Sequence, residues 1–255
     1  MKVILTIARR EHQAYFSTPM GWMCLCGFVA LTGFFFAAMT GEFAVAATRT
    51  AMNPFQENTA DLNSWLIQPF FANTAVVLLM LCPALSMRLF AEDRKHGSLE
   101  LLLSSPISSA QIVLGKYLGA MSFLGVMLAS TLPFTAILYW LGSPDNGVMV
   151  GCYLATFLMS ASFIAVGMLT SSMTINQMVA LVLGFGMLLG LWVLPWAAVI
   201  AGPGWGDALA DISMLSHIDQ LMKGLVHTKD IVYFVSFTGL FLFATTQRVE
   251  AYRWR

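Results

Sequence analysis

Apolar residues in this chain are gathered into runs of roughly 18 to 23, separated by short polar stretches, and that grouping constrains the fold more than any motif does. At 1.5 Å of rise per residue, about 20 helical residues cross the roughly 30 Å of hydrocarbon in a bilayer. The 255 residues are 58% hydrophobic and only 10% charged, with a mean hydropathy of +0.75. Soluble domains carry about 25% charged residues, so a water-soluble body of this size could not cover its surface. The composition therefore predicts an all-α integral membrane protein, a single transmembrane domain over residues 1–255.

Six spans are expected, over about residues 20–39, 70–89, 118–141, 148–169, 178–200 and 231–246, the last being short. A polar loop with Asn53, Pro54, Glu57, Asp61 and Asn63 follows the first span. The turn Gly142 to Gly147 is too short for a domain and makes spans three and four a tight helical hairpin. Beyond the fifth span, Gly202 to Gly206 breaks the helix. Ile212, Leu215, Ile218, Leu221 and Met222 then recur at helical spacing, which predicts a short amphipathic helix on the outer interface. Met1 to Pro19 lacks the cleavage pattern of a signal peptide, so the first run is read as a span.

Ten of the 13 Lys and Arg residues fall on one side of this arrangement: Lys2, Arg9, Arg10, Arg88, Arg94, Lys95, Lys116, Arg248, Arg253 and Arg255. Arg49, Lys223 and Lys229 fall on the other. The positively charged side is the expected cytoplasmic one, and an even number of spans puts both termini there. Before the first span, Ile4, Ile7, Ala8 and Tyr15 share one face of a helix, with Arg9, Arg10 and Glu11 on the other. Such a helix would lie along the inner membrane surface, its charged residues open to contacts.

Chemistry-bearing patterns are sparse. Cys24, Cys26, Cys82 and Cys152 sit inside apolar runs without zinc spacing and read as small apolar fillers. His12, His96, His217 and His227 form no metal-spaced pair. Arg88 is the one charge within a run, close enough to its end to snorkel; a gating or coupling role is the alternative. Asn73 reads as an interhelical hydrogen bond. Gly115 with Gly119, and Gly186 with Gly190, allow close helix approach within the bundle or against a second copy. Pro83, Pro133 and Pro195 interrupt spans and permit kinks. No Gly-x-x-x-x-Gly-Lys-Ser/Thr loop occurs, so the chain is not expected to cradle ATP phosphates by itself. No cofactor, catalytic residue, metal or nucleic-acid partner is expected.

The most informative stretch follows the second span, from Glu92 to Pro106. Gly97 allows a sharp turn, Ser98 can cap a new helix, and Pro106 disfavours its continuation, leaving a helix of under two turns. Ser108 with Gln111 forms a capping box that starts the next helix. Leu99, Leu102 and Leu103 would be poorly covered on a bare surface turn and suit a groove on a partner.

That stretch resembles type-2 ABC transporter permeases, in which an acid, Gly-Thr-Leu-Glu, leucines, a proline and then Gly-Lys recur in this order. The matching residues are Glu92, Gly97, Ser98, Leu99, Glu100, Leu101, Leu102, Pro106, Gly115 and Lys116, with Ser98 keeping the hydroxyl of the usual threonine. The start, Arg10 to Pro19, and the end, Ser216 to Gln220 through Gly224, Asp230 and Tyr233 to Arg253 and Trp254, resemble the gliding-motility-type branch. Relatives of that branch also serve copper-enzyme maturation, so the branch name fixes no biological role.

The resemblance implies six spans per subunit, an N-terminal interfacial helix and a short cytoplasmic coupling helix between spans two and three. It also implies a non-catalytic permease of a bacterial inner-membrane exporter or mechanotransducing complex. Two copies of a separate ATPase would bind the ATP and Mg. A second permease copy and membrane lipid would complete the unit, and an extracytoplasmic partner could engage the outer segments. The ATPase-coupling residues would be Glu92, Gly97, Ser98, Leu99, Glu100, Leu102, Leu103 and Pro106. The competing class, a secondary transporter or channel, would be expected to show mid-span charges or paired broken helices, and an intramembrane enzyme a catalytic constellation. None of these is evident.

Overall fold

The computed structural model describes residues 2–52, 61–98, 100, 102, 107–202, 204, 206 and 211–253, and every regular element among them is helical. In order these are α1 (Lys2–Ser17), α2 (Pro19–Met52), a π-helical turn (Asn63–Ile67), α3 (Gln68–Ser86), α4 (Arg88–Lys95) and α5 (Ser109–Ala129). There follow α6 (Leu132–Leu141), α7 (Asn146–Met173), α8 (Gln177–Ala201), α9 (Met214–Met222) and α10 (Thr228–Arg253). Six helical segments among the described residues are long and apolar enough to cross a membrane: α2, the π turn with α3 and α4, α5 with α6, α7, α8, and α10.

Two of these segments form the centre. In their most apolar stretches 67% of the second and 72% of the fourth is buried, against 22%, 17% and 22% for the first, fifth and sixth, so α3 and α7 are the core that the others surround. Missing side chains allow the contact. A Cβ at Gly167 of α7 would stand 1.8 Å from the Ser86 hydroxyl of α3. Nearer the opposite end, Phe71 meets Tyr153 edge-on at 4.7 Å between centroids, and Phe36 stacks on Phe134 at 5.0 Å. Buried hydroxyls turn onto their own helices: Ser86 donates to the Cys82 carbonyl (2.8 Å), Thr156 to Cys152 (2.8 Å) and Ser160 to Thr156 (2.7 Å). Apolar surroundings offer no water, so an unpaired hydroxyl there would cost a few kcal/mol.

Helix ends differ from the hydropathy reading in instructive ways. The first span is predicted to end near Met39, but α2 continues to Met52 and is 34 residues long in all. Its last two turns are rich in alanine with no breaker before Pro54, and helix formation needs good formers, not apolar ones. At about 51 Å it exceeds the hydrocarbon thickness. The sixth span, short by hydropathy, belongs to the 26-residue α10, because Gln247 to Arg253 is polar yet helix-forming. Pro195 leaves α8 unbroken. The breaks fall at Met87, four residues after Pro83, and at Ser130–Thr131, just before Pro133 in the first turn of α6,.

At the far end of the bundle, Asp145 caps α7 by accepting from the Gly147 amide (2.7 Å), and Asn63 accepts from the Asp145 amide (3.2 Å). The amphipathic helix expected after the fifth span is α9. Met214, Ile218, Leu221 and Met222 are buried against protein, and Ile212, expected on that face, is exposed. A Cβ at Gly151 of α7 would lie 2.3 Å from the Leu221 carbonyl, so α9 is seated on a glycine notch. His217 ties it to α10, with Nδ1 2.6 Å from the fully buried Asp230 and its ring stacked on Tyr233 at 4.2 Å.

Candidate functional site

The polar chemistry of the described residues concentrates at the end of the bundle where α1 begins and α10 finishes. Its centre is Lys116, two turns into α5. The capping box sets the register: Ser108 Oγ accepts from the Gln111 amide and Gln111 Oε1 accepts from the Ser108 amide, both at 3.3 Å. Lys116 is 1% exposed, and burial of an ammonium requires partners,. Its Nζ lies 2.8 Å from Glu11 of α1 and 2.6 Å from Asp93 of α4, with the Phe90 ring 5.5 Å away.

Glycines make room for this contact. A Cβ at Gly115 would meet Ile7 at 2.7 Å, and one at Gly119 would meet the Glu11 Cβ at 2.5 Å and the Ala8 carbonyl at 3.0 Å. Gly115 and Gly119 are thus the seat of the N-terminal helix. The other pair, Gly186 and Gly190, faces nothing within 4 Å among the described residues. The face of α1 that is buried carries Ile7, Glu11 and Tyr15. Glu11, read from sequence with Arg9 and Arg10 on the polar face, is therefore inside. The reason is the lysine beneath it: an apolarity pattern cannot register a buried acid whose counter-ion is a hundred residues away. Arg9 and Arg10 are exposed, as expected, and Arg10 reaches the same Glu11 oxygen at 3.1 Å.

Arg88 does not snorkel. It is 7% exposed, its guanidinium sits 4.1 Å above the Tyr15 ring, and Nη1 donates to Thr18 at 2.8 Å. Tyr15 in turn donates to the Leu85 carbonyl at 2.9 Å. A delocalised guanidinium tolerates such a stacked site better than an ammonium would. Arg88 thereby holds the junction between α1 and α2, at the bend before Pro19, against the second span.

Just below, Ser171 of α7 bridges the break between α3 and α4. Its Oγ donates to the Met87 carbonyl (2.7 Å) and accepts from the Phe90 and Ala91 amides (3.1 Å each), supplying partners that an interrupted helix leaves free,. Arg94 donates to the Ser172 carbonyl at 2.8 Å and lies 4.8 Å over Tyr252 of α10. Ser109 at the start of α5 donates to Glu250 of α10.

Of the residues proposed from sequence to meet an ATPase, the turn is in place. Gly97 adopts φ +70°, a conformation that strongly favours glycine,. Ser98, Glu100 and Leu102 are helical. Ser98 Oγ donates back to Asp93 Oδ1 at 2.8 Å, so the turn is tied to the Lys116 cluster. Glu100 is exposed, with Tyr252 Oη 3.5 Å from its carboxylate. Glu92 is partly buried on α4 and is not brought into the cluster. Leu102, expected to be offered to a partner, is partly buried against the chain's own core. Leu99, Leu103 and Pro106 lie outside the described residues.

Sequence reasoning missed Asp93, Lys116 and Ser171 as a functional group. For Lys116 a signal existed: it follows Gly115 and sits three residues before Gly119, on a glycine-bearing face where a second helix must approach. Nothing local marked Ser171, and Glu11, expected with Arg9 and Arg10 as an exposed contact residue, carried no sign of its burial.

Six crossing segments around a two-helix core, with the buried Lys116 cluster near one end and the His217–Asp230 pair near the other, define a multi-pass helical membrane protein. Residues 5–247 match the family described as ABC-2 family transporter protein. The match spans nearly the whole chain, and the protein belongs to that family, as a membrane subunit of an ABC transporter. No curated protein matches it.

Proposed function

We propose that the chain is the permease half of an ATP-driven transporter in a bacterial inner membrane, with both termini cytoplasmic, in which a separate ATPase pushes on the turn from Gly97 to Pro106. The observation that carries this reading is the continuous line Ser98–Asp93–Lys116–Glu11, with contacts of 2.8, 2.6 and 2.8 Å. It joins the turn to the second span, the third span and the N-terminal helix. Buried charge pairs are stiff couplers, because separating either partner exposes an uncompensated charge to an apolar interior. A displacement at Ser98 therefore moves α1, α4 and α5 together, and Ser171 passes it to the central α7.

On this reading two ATPase subunits carry the ATP and Mg, a second permease copy completes the unit, and the cycle drives export or mechanical work on an extracytoplasmic partner. The test is to purify the chain with its ATPase and measure complex formation and stimulated hydrolysis after multiple polar substitutions across Leu99 to Leu103. Loss of both is expected. Retention of both would refute the role of this segment, and transport surviving without any ATPase would favour an ion-driven carrier.

A further inference from the structure

The ends of α4, α7 and α10 converge on a cleft that the coupling line does not use. Its walls include Phe90, Arg94, Ser172, Arg248, Val249 and Tyr252, and its cavity volume is about 70 Å³. Two arginines line it and, among the described residues, no carboxylate does, the exposed Glu100 reaching only the Tyr252 hydroxyl at 3.5 Å. Glu92 lies two residues before Arg94, roughly 200° around the helix and so on another face. Glu250 is engaged by Ser109.

Arg94 is fixed rather than free: the Ser172 carbonyl holds Nη1 and Tyr252 backs its plane. Yet its Nε is shielded from solvent and has no hydrogen-bond partner among the described residues. Leaving a buried charged donor unpaired costs more than an ordinary hydrogen bond is worth, so Arg94 gains from a small turn that brings Nε to an acceptor in the cleft. Arg248 is exposed and makes no ion pair or hydrogen bond among the described residues. The floor is apolar, with Phe90 and Val249 almost wholly buried. The site's depth follows from the spans: Arg248 is the first charge after the apolar part of α10, Ser172 is one residue from the end of α7, and Arg94 is one from the end of α4. Three span ends at one level place the cleft where lipid headgroups lie.

We propose that this cleft binds a phosphate group, held between Arg94 and Arg248, with the headgroup of an anionic phospholipid as its source at this depth. Planar guanidinium donors match phosphate oxygens, and the apolar floor would take the start of an acyl chain or glycerol. The inference is independent of the coupling reading, since it needs no ATPase.

The test uses the full chain in nanodiscs of phosphatidylcholine with and without phosphatidylglycerol, with retained lipid read by native mass spectrometry after extraction. Arg248→Gln is the probe, because this exposed side chain supports no internal contact. Arg253→Gln, an exposed arginine on the same helix end outside the cleft, removes the same charge. Phosphatidylglycerol retention should fall about tenfold in R248Q, stay unchanged in R253Q and recover in part in R248K. In lipid-matched phosphatidylcholine discs, inorganic phosphate tests the other source. A melting-temperature rise seen in the wild type and lost in R248Q, without differential lipid retention, would keep the phosphate site and make its source soluble. Equal behaviour of R248Q and R253Q in both arms would overturn the proposal, leaving Arg248 as a topology-setting charge. Loss of ATPase binding in R248Q with lipid retention intact would overturn it in favour of a protein contact.

Discussion

Replacing Lys116 by methionine removes the one cation that stands between Glu11 and Asp93. At an effective dielectric of about 20, each contact of 2.6 to 2.8 Å is worth roughly 6 kcal/mol of gross Coulomb attraction,. Most of that is offset by the cost of taking three charges out of water. What the substitution exposes is the remainder, because two carboxylates stay behind with side chains only 10% and 18% exposed. Breaking a buried pair in this way costs about 3 to 5 kcal/mol, and the partial exposure of Asp93 places the expected loss near the lower value.

Methionine fills much of the lysine stem's volume, so a cavity adds little. The loss should be read by equilibrium unfolding in mixed micelles, with tryptic cleavage at the exposed Arg9 and Arg10 reporting release of α1. The triple variant Glu11→Gln, Asp93→Asn, Lys116→Met removes the stranded charges and should be more stable than K116M, because no uncompensated charge then stays buried. Should K116M lose less than about 1 kcal/mol, or the triple variant prove no more stable than K116M, the cluster would not be the ion-paired hub described here.

Gly119→Val should detach α1, because even its Cβ would meet the Glu11 Cβ at 2.5 Å and the Ala8 carbonyl at 3.0 Å. Tryptic cleavage after Arg9 and Arg10 should accelerate about tenfold, whereas Gly186→Val, with nothing within 4 Å, should leave it unchanged. Ser171→Ala leaves the Phe90 and Ala91 amides and the Met87 carbonyl without their bridging partner. It should lower stability by about 2 kcal/mol; hydrogen exchange at those two amides should rise, and unchanged protection there would remove Ser171 from the account.

Membership of the bundle was legible in the chain itself. Six apolar segments follow from length and hydropathy alone, since the bilayer sets a residue count that any crossing helix must meet. Local rules of the same kind placed the Ser108–Gln111 capping box, the turn at Gly97 and the helix after the fifth span, because each depends on neighbours a few residues away. Helix ends were less legible: the extension of α2 past Met39 rests on helix propensity, which hydropathy ignores. What only the tertiary structure decided is the pairing of distant charges. Glu11 and Asp93 give no sign of burial where each stands in sequence, Lys116 is marked only by Gly115 and Gly119, and Arg88 reads as a residue that would snorkel. Each is wholly or partly buried because another helix brings its partner within 3 Å or a ring to about 4 Å. Burial of a charge is a property of what surrounds it, so no single segment carries the information.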